Sequence, residues 1–153
     1  MSTPRYFALI ENLCALAKIP SALAHASTVD FVVDDVCFTL IEAGHNDEQA
    51  LNLFCDFGPL PAKQRERILA QLMHMNLAMV GVNTPSFAMN PETGHVLLTR
   101  RIVIDALTAD ELLQALCEHA QHAMAWRQHH FLQIPKTSSS TQADKLRSSH
   151  QTK

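Results

Sequence analysis

Apolar residues fall into two rhythms along this chain, and each rhythm names a kind of element. Tyr6, Leu9, Ile10, Leu13, Leu16 and Ala17 recur at helical spacing. Thr3 is suited to cap that helix and Pro4 to open it, and Pro20 stops it near Ile19. Phe7 and Cys14 project off the main stripe. From Val29 to Asp34 the period drops to two: Val29, Phe31 and Val33 alternate with Asp30, Val32 and Asp34, as in a half-buried strand. Asp34-Asp35 supplies a tight turn. Val36 to Glu42 is apolar on both sides, with Val36, Phe38 and Leu40 opposite Cys37 and Ile41. After turn-forming residues 43 to 47, Ala50 to Phe57 sets Leu51, Leu53, Cys55 and Phe57 against Asn52, Phe54 and Asp56. Connections this short require antiparallel neighbours.

Gly58-Pro59-Leu60-Pro61 ends the third strand, and Pro61 is placed to open a second helix. This helix carries two apolar stripes: Ile68, Leu72, Met75 and Met79, and then Leu69, Met73, Leu77 and Val80. A helix on the surface of a monomer needs one, so the second stripe faces something beyond its own sheet. Ser86 to Asn90 is a short strand. Asn90-Pro91-Glu92-Thr93-Gly94 is a hairpin turn, and His95 to Ile104 is the return strand. The alternation of that strand sends Arg100 to one face and Arg101 to the other; the inner guanidinium needs a partner or an edge. Thr108-Ala109-Asp110-Glu111 is a capping box, with Leu107 and Leu112 as its hydrophobic staple, and it starts a last helix that ends before Pro135. The order α-β-β-β-α-β-β-α predicts an α+β fold, one antiparallel twisted sheet with helices packed on it.

Composition alters this picture at a few points. Residues 1–135 read as one domain, with eight basic and fourteen acidic side chains, a net −6. Residues 136–153 read as a disordered polar tail of net +3. An acidic body repels phosphate backbones, so nucleic acid is not an expected partner. Cysteines 14, 37, 55 and 117 form no C-x-x-C pair and sit in apolar segments, which points to small buried thiols in a reducing compartment. With no 18-residue apolar run and no signal peptide, neither a membrane location nor export is expected, and the expected location is cytoplasmic.

Catalytic chemistry is thinly represented. There is no G-x-S-x-G elbow, G-x-G-x-x-G loop or Walker loop among only four glycines. Asp30, Asp34, Asp35 and Glu42 fall at strand ends and turns, where acids are ordinarily solvated. His119 and His122 stand three apart on the last helix. Two ligands are too few for zinc, and the pair reads first as a solvated helix face. No metal and no cofactor is expected, and catalytic residues are none. What the sequence has in excess is apolar surface, which soluble proteins rarely leave uncovered unless a partner uses it.

Three segments in order carry a family likeness: Leu72-Met73-His74-Met75-Asn76-Leu77; Asn90-Pro91-Glu92-Thr93-Gly94 with its flanking strands; and Leu107-Thr108-Ala109-Asp110-Glu111-Leu112 ahead of a helix bearing Trp126. On these the chain resembles the class I type III secretion chaperones of the Tir-chaperone family, over roughly residues 3 to 131. The resemblance implies a homodimer that binds the N-terminal segment of a secreted effector in extended form, without nucleotide. It also implies that the second helix lies at the dimer interface, through Leu69, Met73, Leu77 and Val80. Phe7, Val32, Phe38, Leu40 and Phe54 are the candidates for an effector-binding groove. Two rival readings are a dimeric interaction module of the same fold, outside secretion, that binds a folded partner, and a small hydrolase or metal enzyme using His119 and His122.

Overall fold

The computed structural model describes residues 4–20, 24, 26–44 and 49–132. Its elements are α1 (Pro4–Ala17), β1 (Thr28–Val33), β2 (Val36–Glu42), β3 (Ala50–Pro59), α2 (Arg65–Ala78), β4 (Ser86–Met89), β5 (His95–Val103) and α3 (Ala109–His129). The five strands form one antiparallel sheet in the order β1-β2-β3-β5-β4. The expected element order and fold class are those observed. Residues 45–48, part of the expected β2–β3 turn, and the tail 136–153 lie outside the described residues, as does Thr3.

Local chemistry fixes the turns. Asp34 and Asp35 both adopt the left-handed conformation (φ 49° and 61°), the geometry of a two-residue hairpin, and the turn brings Val33 opposite Val36. Gly94 closes the β4–β5 hairpin at φ 71°. The capping box is complete: the Glu111 N–H donates to Thr108 Oγ1 at 3.2 Å, and the Thr108 N–H donates to Glu111 Oε2 at 2.9 Å.

Two helix ends differ from expectation. α1 stops at Ala17, earlier than Ile19, because Lys18 turns left-handed (φ 55°) and lets the Ile19 N–H reach back to the Cys14 carbonyl at 2.9 Å. α2 begins at Arg65 and not at Pro61: Gln64 is left-handed (φ 60°), so no continuous helix can run through it.

One face of the sheet forms the core. Val29, Phe31, Val36, Phe38, Leu40, Leu51, Leu53, Cys55, Phe57, Val96 and Leu98 are all buried there, beneath Tyr6, Ile10 and Leu13 of α1 and Leu112, Leu116, Ala120 and Trp126 of α3. α1 and α3 pack side by side, and α3 also contacts β3; α2 lies at the far end against β4. The thiols only partly follow expectation. Cys14 and Cys55 are buried and Cys117 is half-buried, but Cys37 is exposed, because its register opposite Val32 puts it on the outer face.

β3 runs past Phe57 to Pro59 through a bulge between Asp56 and Gly58, where Gly58 takes φ 105°. Arg127 of α3 secures this irregularity. Its Nε donates to the Phe57 carbonyl (3.0 Å), its Nη2 to the Asp56 carbonyl (2.9 Å) and its Nη1 to the Asp35 carbonyl (3.1 Å). Asp56 also bridges to His95 at 2.9 Å. One guanidinium thus ties the end of α3 to the bulge and to the β1–β2 turn.

Candidate binding surfaces

The two stripes of α2 have different environments. Ile68, Leu72 and Met75 are buried within the protomer and Met79 is half-buried. Of the second stripe, Leu69 is half-buried, while Met73, Leu77 and Val80 are 56%, 75% and 79% exposed. Val82, just beyond, is exposed as well. This is a run of large apolar side chains that the described residues leave uncovered, on the stripe that the spacing singled out.

The outer face of the sheet is a mixed surface. Phe54 is half-buried at its centre, between Thr39 of β2 and Thr99 of β5. Ile41, Leu97 and Val103 are half-buried on the same face, and Val32 is 63% exposed near its rim. Hydroxyls lie beside them: Thr39 donates to Asp30 at 2.6 Å, and Ser86 and Thr99 are 3.0 Å apart. Phe7 is half-buried on α1, edge-on to Tyr6 at 6.0 Å. Phe38 and Leu40 do not belong with these residues. They face inward with Phe31 and Val29, their cross-strand partners, and are fully covered by the helices, so they offer no surface to a guest.

The two sheet edges are unlike. The Glu42 N–H donates to the Ser27 carbonyl at 2.9 Å. Given antiparallel alternation, Val29, Phe31 and Val33 therefore turn their backbone groups toward β2, and Thr28, Asp30 and Val32 turn theirs outward. No described strand pairs with that side of β1. The β4 edge is instead occupied by a side chain: Asn76 of α2 accepts the Phe87 N–H at 2.6 Å and donates to the Phe87 carbonyl at 3.0 Å. The asparagine of the Leu72–Leu77 segment acts as one residue of a missing strand, and it seats α2 on the sheet. Asn76→Ala leaves both backbone groups of Phe87 without their partner, at a cost of about 2–3 kcal/mol. Urea unfolding of the variant reads this loss, and an unchanged midpoint removes Asn76 as the seat of α2.

The charged and polar candidates are also located. Arg100 lies half-buried on the core face, and its Nε donates to the Asn83 carbonyl at 3.3 Å; Arg101, on the outer face, donates to the Ala43 carbonyl at 2.9 Å. His119 is not on a solvated helix face as expected. It is 8% exposed, with Leu116 and Ala120 on the buried side of α3, because it shares the helical phase of Leu112, Leu116 and Ala123. His122 is exposed, and the two ring centres are 6.4 Å apart. Among the described residues no three histidine, cysteine, aspartate or glutamate side chains gather as a metal site, and no helix is long and apolar enough to cross a membrane.

Comparison with known proteins agrees with this architecture. No curated protein is a significant sequence match. Among solved structures, the ExsC-ExsE complex contains a chain 20% identical with a TM-score of 0.62, the alignment covering 86% of this chain and 95% of that one. The HopA1-SchA chaperone-effector complex gives 15% identity and a TM-score of 0.62, over 84% and 98%. The ExoT-SpcS complex from Pseudomonas aeruginosa gives 20% and 0.54, over 83% and 97%. At these identities the likeness is one of fold. The model of the Tir chaperone protein (CesT) family matches residues 8–127, which takes in α2, the β4–β5 hairpin and the capped α3. The chain belongs to the Tir chaperone protein (CesT) family.

Proposed function

We propose that this chain is a cytoplasmic type III secretion chaperone that works as a homodimer and holds the N-terminal segment of a secreted effector in extended form, ready for export. Family membership supports the chaperone role, and the chaperone-effector complexes that share the fold support a protein guest. The observation that carries the binding mode is the β1 edge, which no described strand pairs with, with Val32 exposed on it and a half-apolar outer sheet face beside it. An extended guest can add as a sixth strand there, its backbone bonding to Thr28, Asp30 and Val32 while alternate side chains lie on the outer face. The dimer forms through Leu69, Met73, Leu77 and Val80, the α2 stripe that the protomer leaves uncovered.

Energetics favour such a surface over a few ion pairs. Ordering a disordered chain costs about 1–2 kcal/mol of backbone entropy per residue, so a guest of about thirty residues costs some tens of kcal/mol. At about 25 cal/mol per Å², offsetting this takes on the order of 2,000 Å² of apolar burial along with backbone hydrogen bonds. Val32 and Phe54 are the residues of the expected groove that keep accessible surface on this face; Phe7, half-buried on α1, packs against the core on the other side of the sheet.

Co-expression with the first hundred or so residues of the product of an adjacent reading frame, followed by limited proteolysis of the complex, tests the proposal. The expected result is protection of a guest fragment that is unfolded alone. Protection of a partner that already unfolds cooperatively alone identifies an interaction module and overturns the chaperone reading.

A further inference from the structure

A cavity of about 270 Å³ lies between α2, α3 and the β4–β5 hairpin. Phe57, Met75, Met79, Phe87 and Leu98 supply its walls, and Phe57 and Phe87 meet there edge to face at 5.3 Å. His119 also lines it. That imidazole is 92% shielded from solvent, and neither of its ring nitrogens has a hydrogen-bond partner among the described residues. Buried polar groups are nearly always paired, so an orphaned ring on the wall of an apolar cavity has an unmet demand for one hydrogen-bonding group; both nitrogens are covered by neighbouring atoms, and the imidazole must turn to present one of them to the cavity.

We propose that this cavity is a binding site for a small uncharged aromatic molecule bearing one hydroxyl, the ring lying among the Phe and Met side chains and the hydroxyl meeting a His119 nitrogen that a turn of the imidazole brings to the cavity wall. Size sets the first limit. An apolar cavity of about 150 Å³ accepts benzene, so this one accommodates a single ring with a short substituent, roughly ten non-hydrogen atoms. The walls set the second, since thioethers and aromatic edges favour an aromatic guest. Charge sets the third. Among the described residues no acidic or basic side chain other than the two histidines His119 and His122 lines the space, and Arg100, on the same sheet face, is directed to the Asn83 carbonyl. A carboxylate or phosphate would enter without a countercharge. A neutral imidazole offers one donor and one acceptor, and a hydroxyl complements either tautomer. Burial first, and then Arg100 and His122, push the His119 pKa down to about 4, so the ring is neutral at physiological pH.

This site is independent of the surfaces assigned to effector binding and dimerisation. Met75 of α2 and Met79, the residue that caps it, belong to the inward stripe, not to the Met73 and Leu77 stripe. A ligand here would bridge α2 to α3 and stiffen the seat of α2.

The test titrates the full-length protein with 4-ethylphenol and, in parallel, with ethylbenzene, which lacks only the hydroxyl. Methionine methyl NMR reports on Met75 and Met79, and thermal unfolding is followed alongside. Saturable shifts of both methyl signals are expected, with 4-ethylphenol bound roughly tenfold tighter than ethylbenzene, the scale of one buried hydrogen bond. In His119→Leu the two probes should bind alike. Met79→Trp, at the half-buried rim, should weaken both and provides a second variant should His119→Leu fail to fold. Absence of saturable shifts, equal affinity for the two probes in the unsubstituted protein, or a hydroxyl preference that survives His119→Leu would each overturn the proposal. So would 4-ethylphenol binding untouched by Met79→Trp.

Discussion

Met73→Glu is expected to split the proposed dimer into folded monomers, raising the dissociation constant by at least about a thousandfold. In the proposed dimer a two-fold axis would make the α2 stripe meet itself, so one substitution would place two carboxylates in the interface. An uncompensated buried ion costs several kcal/mol even after relaxation, and each factor of ten in affinity corresponds to about 1.4 kcal/mol. Within the protomer the same change is cheap. Met73 is 56% exposed on the side of α2 away from the core, and glutamate is a good helix former. Light scattering on a size-exclusion column should therefore report half the mass, with an unchanged circular dichroism spectrum. A dimer mass retained in both Met73→Glu and Leu77→Glu would put the interface elsewhere, whatever the fate of guest binding.

The second stripe of α2 was legible because periodicity alone marks a helix with more apolar surface than one sheet can cover. The hairpin turns and the α3 cap were legible for a local reason: Asp34-Asp35, Gly94 and the Thr108/Glu111 pair act through their own backbone neighbours. Deciding which face of β2 lies inside requires a non-local step. Val36, Phe38 and Leu40 against Cys37 and Ile41 give two candidate faces. The step was available, because a two-residue turn at Asp34-Asp35 sets Val33 opposite Val36, and cross-strand partners share a face. Carried along the register, this puts Phe38 with Phe31 and Leu40 with Val29, inside. His119 was similarly recoverable, seven residues after Leu112 and four before Ala123. Its residue type suggested solvent while its phase indicated the core. Other features left no such trace. That Arg127 would hold two carbonyls at the bulge and one in the β1–β2 turn, or that Asn76 would complete the β4 edge, depends on distances set only once α2 and α3 are docked. The left-handed Gln64 that delays α2 is likewise a product of the path from the bulge to the helix, with no glycine to announce it.

Acidification is expected to remove about 3 kcal/mol of stability through His119 alone. Burial is the largest cause of its lowered pKa. The nearby positive charge of Arg100 comes next and then His122, with Glu118 acting weakly the other way. Its folded value is about 4, against an ordinary value of 6.5 that the unfolded chain regains. Between those two values the unfolded state binds more protons than the native state, so stability falls as pH falls. The contribution is fully present above pH 6.5 and is lost progressively down to about pH 4. A gap of about 2.5 units at about 1.4 kcal/mol per unit sets the size of the loss. Carboxylates elsewhere add their own slope, so the informative quantity is the difference between the natural protein and His119→Leu. The leucine variant fills the position without an orphaned polar ring, and at pH 7.5 it should be at least as stable. Between pH 7.5 and pH 4.5 its urea midpoint should fall less, by an amount equivalent to about 2–3 kcal/mol. Parallel pH profiles for the two proteins would mean that the native imidazole is already protonated or solvated near its ordinary pKa, and that the closed, unpartnered environment assigned to His119 is wrong.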